Sequence, residues 1–443
     1  MKRFFWMLLL PALWGCGEKN ENIVIQLQSH EGSGVFHSSL QIVWPGRLHL
    51  FYTGVPETIE EYVVRSISMQ PEQNIWEFYR KNILTKEQFL ASQERMGIDT
   101  TKLTDQEFDH RILILTGTHK NGKRVVITDT DNDKDFSNET IFEYDYPLPP
   151  EEQRQMDKTI PLVKASVQLF VNGQIIDHEV DLHISPYENY RTLTYHSVEN
   201  EIERNYHLFV SMPCHKRGEI ILQDQVYNVF ATTNGVNSVF QEGNTRIFIS
   251  PADSEPSERD GDIPASVGEV INLDGHDYRI ESISSLGESL KLSYLGENPE
   301  PFGITEGYKV PRFNAVTLDY DEFNLSHYPG KFVLIDFWGT WCGPCVRLIP
   351  ELKKLNDEYK DKDFQLVGVA YDNDTDKVRE FTEENQMDWI HIFIDQNRRE
   401  ENSLVELFRV TSFPTKILID PSGKILARGR SIDEIRNMLD ENL

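Results

Sequence analysis

The stretch "VLIDFWGTWCGPCVRLIPEL", residues 333–352, decides the reading of this chain. The run "KFVLIDFW" is nearly continuously apolar, as in a buried strand, and "VRLIPELKKLNDEY" carries apolar residues at helical spacing. Cys342 and Cys345 therefore fall at a strand-to-helix turn, with Cys342 at the helix N-terminus. Three roles compete for the pair. A structural zinc site would need two further thiolate or imidazole ligands at suitable spacing, and no second CxxC or HxxxH follows. A purely structural disulfide across so short a loop would constrain little of the unfolded chain, because its stabilisation grows with loop length. Thiol–disulfide exchange is left, and it suits the position. Unpaired N–H groups and the helix dipole stabilise a thiolate at Cys342, lowering its pKa below the free value of about 8.5. Cys345, one turn in, is expected to be the more buried and more often protonated partner, so that an exposed Cys342 attacks and Cys345 resolves.

Around this stretch, composition limits the rest. The chain has 443 residues, too many for one core, and usual domain sizes suggest about three units. Its 39% hydrophobic and 11% aromatic content is that of a globular protein. With 44 basic and 72 acidic residues it carries a formal charge of −28, which repels nucleic acid and anionic lipid headgroups. Nucleic acid is therefore excluded as a partner.

At the other end, "MKRFFWMLLLPALWGCGEKNEN" places Lys2 and Arg3 before an apolar stretch of signal-peptide length, Phe4 to Leu13. That stretch is too short to span a bilayer comfortably. Leu13, Gly15 and Cys16 resemble a bacterial lipoprotein signal. The resemblance implies cleavage after residue 15, lipidation of Cys16 and a location in the cell envelope, tethered to the membrane outside the cytoplasm. Residues 16–22 then form a polar tether.

Two regions are expected between tether and dithiol. Residues 23–150 mix alternating runs such as "LQIVWPGRLHLFY" and "RILILTG" with two helical stretches, "PEQNIWEFYRKN" and "TKEQFLASQERM". The second stretch begins at Thr85 with Gln88 three residues on, the pattern of a capping box. The prolines of "DYPLPPEEQRQ" mark a boundary. Residues 151–300 hold period-2 runs ("VKASVQLFV", "RTLTYHSV", "EIILQDQVYNVFA", "TRIFIS") that read as a β-sandwich or an open meander. Within them 251–264 is a proline-rich charged linker, followed by a small hairpin unit in "VGEVINLDGHDYRIESIS" and "LKLSYL".

Two features in these regions receive bland readings. Asp129, Asp131, Asp133 and Asp135 alternate like the start of a calcium loop, but the sixth position is Lys134 where Gly makes the sharp turn, and the twelfth is Thr140 where Glu supplies two oxygens. A solvated acidic hairpin tip is expected, and no metal site. Cys214, beside His215, has no orienting acid or oxyanion motif nearby and reads as a small half-buried residue at a strand end.

The dithiol region resembles the thioredoxin superfamily. "DFWGTWCGPC" is similar to its active-site segment and "TSFPTKILIDPSGKI" to its cis-proline segment. The finer likeness is to the TlpA/ResA-like branch, through the lead-in "VPRFNAVTLDYDEFNLSHYPGKFVLIDFW", "LVGVAYDNDTDKVREFTEEN" as a segment between second strand and second helix, and "WIHIFIDQNRREENSLVELFRV" before the proline. The resemblance implies an α/β thioredoxin-like domain over 305–443, ordered βαβαββα, following a β-rich N-terminal region. It implies a cis bond at Phe413–Pro414, a buried Asp336 that moves protons to and from Cys345, and a client-binding surface of Trp341, Gly343, Pro344, Phe413 and Pro414. Trp338, Tyr371, Trp389 and Phe393 are expected in the core. No cofactor is implied beyond the redox-active Cys342–Cys345 disulfide. The implied partners are client proteins with disulfides and a membrane electron donor. The Gly-Pro between the cysteines is the general thioredoxin form and favours the reducing end of the potential range. Two alternatives stay open: an isomerase or oxidant with the same residues, and a ligand-binding lipoprotein whose thioredoxin domain is accessory. The N-terminal region is expected to select clients or to form a dimer interface.

Overall fold

A computed structural model describes residues 22–36, 41–42, 50–187, 206, 208–258, 262–398 and 403–443. Cys16, the signal segment and the run "RTLTYHSV" lie outside them.

The C-terminal domain is built on β1 (Phe332–Trp338), whose seven residues are all buried. Its side chains alternate between two cores, as a strand's must. Val333, Ile335 and Phe337 pack with Ile417 and Phe408 on one face. Phe332 and Leu334 pack on the other against Leu352 and Leu355 of α1 (Gly343–Tyr359). β2 (Phe364–Asp372), α2 (Thr375–Glu384) and β3 (Ile390–Asp395) follow, then the short α3 (Leu404–Leu407), β4 (Thr415–Ile419), β5 (Ile425–Arg428) and α4 (Ile432–Asn442). The sheet order is β3-β2-β1-β4-β5, with β1, β2 and β3 parallel and β4 and β5 antiparallel.

This corrects the expected βαβαββα order. "IHIFID" adds a parallel edge strand, and "LVGVAYDNDTDKVREFTEEN" is no additional segment: it holds most of β2 and the helix that carries the chain across to β3. A parallel pair needs such a crossover. Local sequence sets the helix ends. Asp374 caps α2 by accepting the N–H groups of Asp376 and Lys377, and Ser431 and Glu434 form a capping box on α4.

The region before it consists of four antiparallel four-stranded sheets among the described residues. The first is a meander of Ile59–Ser68, Arg111–His119, Arg124–Thr128 and Ile141–Tyr144, interrupted by helices Pro71–Arg80 and Lys86–Met96. The second helix has the expected capping box at Thr85 and Gln88. The second sheet contains Val163–Val171 and Gln174–Ser185, and packs on the first through Ile67, Ile112, Ile114, Val167, Leu169 and Leu182. The third contains Cys214–Leu222, Gln225–Thr233 and Thr245–Pro251. The fourth contains Val270–Leu273, His276–Ile283 and Ser289–Glu297. These two share a core of Val229, Ala231, Ile247, Ile280, Leu290 and Leu292.

Strand pairing crosses the expected boundary at residue 150. Asn22–Gln26 pairs with Ser289–Glu297, Gln28–Glu31 with Cys214–Leu222, and Gln41–Ile42 with Phe209–Ser211. Each opening strand pairs with a strand more than 160 residues away, because an unpaired sheet edge leaves N–H and C=O groups without partners. The hairpin unit after the linker supplies three strands of a four-stranded sheet that Asn22–Gln26 completes. The linker itself packs back: Arg246 and Glu258 form a largely buried ion pair at 2.8 Å. An ion pair between Arg409 and Glu269, 2.8 Å, and hydrogen bonds between the Tyr308 hydroxyl and the Asn272 backbone join this region to the C-terminal domain.

Candidate functional site

Cys342 is the N-cap of α1, and its Sγ accepts the Cys345 N–H at 3.2 Å. The two sulfurs are joined in a disulfide with Cα atoms 5.2 Å apart. Three residues ahead, Gly339 accepts the Cys342 N–H through its carbonyl at 3.0 Å. A side chain at Gly339 could not fit, since a Cβ there would stand 2.6 Å from Trp341 Nε1 and 2.8 Å from the Tyr371 carbonyl. Between them, Thr340 donates both its N–H (2.8 Å) and its hydroxyl (2.6 Å) to Oδ2 of Asp372, while Oδ1 accepts the Asn373 N–H at 2.9 Å. Burial pushes the Asp372 carboxyl up, but the hydrogen bonds from Thr340 and Asn373 outweigh it and hold the group below the usual carboxylate range. Asp372 thus fixes the turn that presents Cys342, a positioning role that sequence reasoning missed. Its signal was a lone acid closing the apolar run "FQLVGVAYD".

The surface beside the disulfide is aromatic. Trp341 is 51% exposed, its Nε1 donates to the Tyr371 carbonyl at 2.8 Å, and its ring meets the edge of Phe413 at 5.4 Å. Phe413 stacks on Tyr371, with ring centroids 5.5 Å apart and planes within 3°. Tyr371, expected in the core, is half-buried and supports this platform. Trp338 is in the core as expected. Gly343 and Pro344 are exposed, and the Phe413–Pro414 bond is cis.

The expected difference in exposure between the cysteines is absent: Cys342 is 4% and Cys345 3% exposed. Both sulfurs are tied in the disulfide and share a core cluster with Trp338, Ile349 and Met387. What distinguishes them is position on the helix. Cys342 sits at the cap, where donors converge, and Cys345 inside the first turn.

Asp336 lies on β1 two residues before Trp338, so it shares the sheet face that carries Trp338 and both cysteines' cluster. It is 4% exposed and its Oδ1 has no hydrogen-bond partner. Lys416, also buried, stands directly opposite on β4. Burial pushes the Asp336 carboxyl up to about 6, against the pull of the Lys416 charge.

A strand-to-helix dithiol, a helix-capping sulfur, a cis-proline and a buried acid are now together in one domain. The Redoxin family model matches residues 305–441. The thioredoxin-like protein YneN of Bacillus subtilis is 33% identical over 135 residues, 30% of this chain and 75% of that protein. The chain belongs to the TlpA/ResA-like thiol-disulfide oxidoreductases. The thiol-disulfide oxidoreductase ResA of Bacillus thuringiensis is 27% identical over 137 residues, 31% of this chain and 76% of that protein. A solved thioredoxin domain of a thiol-disulfide oxidoreductase from Bacteroides vulgatus is 28% identical and covers 31% of this chain and 98% of its own, with a TM-score of 0.29. The family match covers residues 305–441 and not the four sheets before them.

In those sheets, Cys214 is half-buried at the start of its strand, and burial pushes its thiol up, which keeps it protonated and unreactive. The acidic stretch does not follow the expected solvated form. Asp131 and Asp133 are exposed, but Asp129 is fully buried directly after strand Arg124–Thr128.

Proposed function

We propose that the protein is a lipid-anchored oxidoreductase of the cell envelope that reduces disulfides in client proteins through Cys342 and Cys345. The observation that carries this reading is Cys342 at the cap of α1 with the Cys345 N–H directed at its sulfur, a place where negative charge on sulfur is stabilised. In the reduced protein the Cys342 thiolate attacks a client disulfide. A bond forms between Cys342 Sγ and one client sulfur, and the other client sulfur leaves as a thiolate. Cys345 then loses its proton, with Asp336 as acceptor, and attacks Cys342 Sγ. The client's second thiolate departs, the client has gained two electrons, and the Cys342–Cys345 disulfide has formed. A membrane electron donor must return two electrons for the next cycle.

The Trp341, Tyr371 and Phe413 platform supplies an apolar seat for the client, with Pro414 beside it. A pKa near 6 suits Asp336 to take and return a proton near neutral pH. The Gly-Pro between the cysteines supports the reducing direction. The N-terminal pattern ending at Cys16 supports anchoring, and no helix among the described residues is long and apolar enough to cross a membrane. The four sheets of the N-terminal region then serve client selection.

Trapping tests the reading. In Cys345→Ser the resolving step is lost, so envelope proteins should accumulate as mixed disulfides on Cys342 that thiol reductant releases. A Cys342→Ser, Cys345→Ser chain should trap none. Absence of adducts in the single variant would refute client reduction.

A further inference from the structure

The loop between strands Arg124–Thr128 and Ile141–Tyr144 is far from a plain acidic turn. One carboxylate oxygen from each of Asp129, Asp131 and Asp133 lies within 4.8 Å of the other two. Asp129 is 0% exposed; its Oδ2 accepts the Lys134 N–H at 3.2 Å, and its Oδ1 has no hydrogen-bond partner. Among the described residues no Lys or Arg forms an ion pair with any of the three. The nearby Lys134 ammonium is committed to Asp109, at 2.8 Å. The exposed pair is held in place as well. Asn138 donates to Asp131 Oδ2 at 3.0 Å and to Asp133 Oδ2 at 3.2 Å, while the Asp135 N–H reaches Asp133 Oδ1 at 2.8 Å.

A buried carboxylate oxygen without a donor is costly, and buried charges are as a rule paired or bound to a metal. Three carboxylates converging on one point, one of them buried with an unused oxygen, therefore call for a cation. The donor set is all oxygen, which selects a hard divalent ion. Lys134, at the position where glycine is usual in a calcium loop, takes the left-handed turn with φ 69°. Thr140 still cannot supply the bidentate carboxylate, and Glu139 is occupied by the N–H and hydroxyl of Thr130. Flexible coordination by monodentate oxygens suits calcium better than magnesium, which demands near-ideal octahedral geometry.

We propose that Asp129, Asp131 and Asp133 bind a calcium ion that pins this loop of the first N-terminal sheet. The affinity belongs to the weak class of extracellular modules, a Kd of about 10⁻⁴ to 10⁻³ M, because the twelfth ligand is missing.

Calorimetric titration of the chelator-treated full chain with calcium chloride, and separately with magnesium chloride, tests this. One saturable calcium event per chain is expected, with a rise in melting temperature and clearly weaker magnesium binding. Asp131→Asn, at an exposed position, should fold normally and lose both the heat and the melting shift. Asp129→Asn should lose them too, while its calcium-free form melts no lower than the calcium-free parent, because a buried unpaired charge has been removed. No saturable calcium heat and no melting shift up to about 10 mM, well above the weak-class Kd, would overturn the proposal. So would binding that survives Asp131→Asn, or magnesium binding as tight as calcium.

Discussion

The two halves of this molecule place their information differently. In the C-terminal domain the chemistry is local: strand, turn, cap and dithiol follow one another within residues 332–359, and each element's residues state its role. In the N-terminal region the structure is distributed. Its opening strand Asn22–Gln26 finds its partner at Ser289–Glu297, and nothing in either segment names the other. A site built from adjacent residues can be read from spacing and charge, whereas a sheet closed by its ends depends on pairings that strand alternation allows but does not specify.

The comparison can be broken at several points. The largest effect should come from Cys342→Ser, which is expected to reduce disulfide exchange to the uncatalysed rate while leaving the melting temperature of both regions almost unchanged; an insulin-type reduction assay with a parallel thermal melt checks this. The opposite pattern is expected in the sheets. Ile114→Ala, at a fully buried position in the first sheet, should cost about 2–5 kcal/mol of stability in urea unfolding. The redox behaviour of Cys342 and Cys345 should not move. If it did, the halves would be coupled more tightly than their separate cores suggest.

Asp336→Asn sharpens the account of the buried acid. The folded-state pKa of about 6 lies above the ordinary 3.8, so the native protein holds this proton more firmly than the unfolded chain. Below about pH 4 both states are protonated and the variant should equal the parent. As pH rises through about 4 to 6 the parent alone pays for a buried charge, and above that window the variant should be more stable by about 3 kcal/mol. Its exchange rate should nonetheless fall and lose its dependence on a group titrating near 6. A variant no more stable at pH 8 than at pH 4, relative to the parent, would contradict the assignment. The smallest effect is expected from Asp372→Asn. Weakening its bonds to Thr340 should cost about 1–3 kcal/mol and slow exchange through misplacement of the turn, with Cys342 still able to form adducts.

Much of the candidate site was legible in the sequence because each part has a strong local reason. The cap position of Cys342 follows from a buried-strand run meeting a helical run, and Trp338 follows from strand alternation. What was not legible depends on tertiary neighbours. Asp372 reveals itself only when β2 lies beside β1 and brings its carboxylate under Thr340. Tyr371 looks like core until Phe413 arrives from 42 residues downstream to stack on it. The edge strand Ile390–Asp395 is hidden in the sequence for a similar reason, since its short apolar run gains meaning only from its parallel partner. A run of acids implies solvated charge because carboxylates normally face water, and only the packing of its strand shows that Asp129 is buried.

The central claim is that Cys342 and Cys345 form an exchange centre poised to reduce. Its most direct test is the reduction potential of the pair, measured by equilibrating the full chain against graded thiol–disulfide buffers with Cys342→Ser as the control. A two-electron transition near the thioredoxin value of about −270 mV is predicted. A transition near about −120 mV would make the protein an oxidant, and the absence of any transition would return the pair to a structural role.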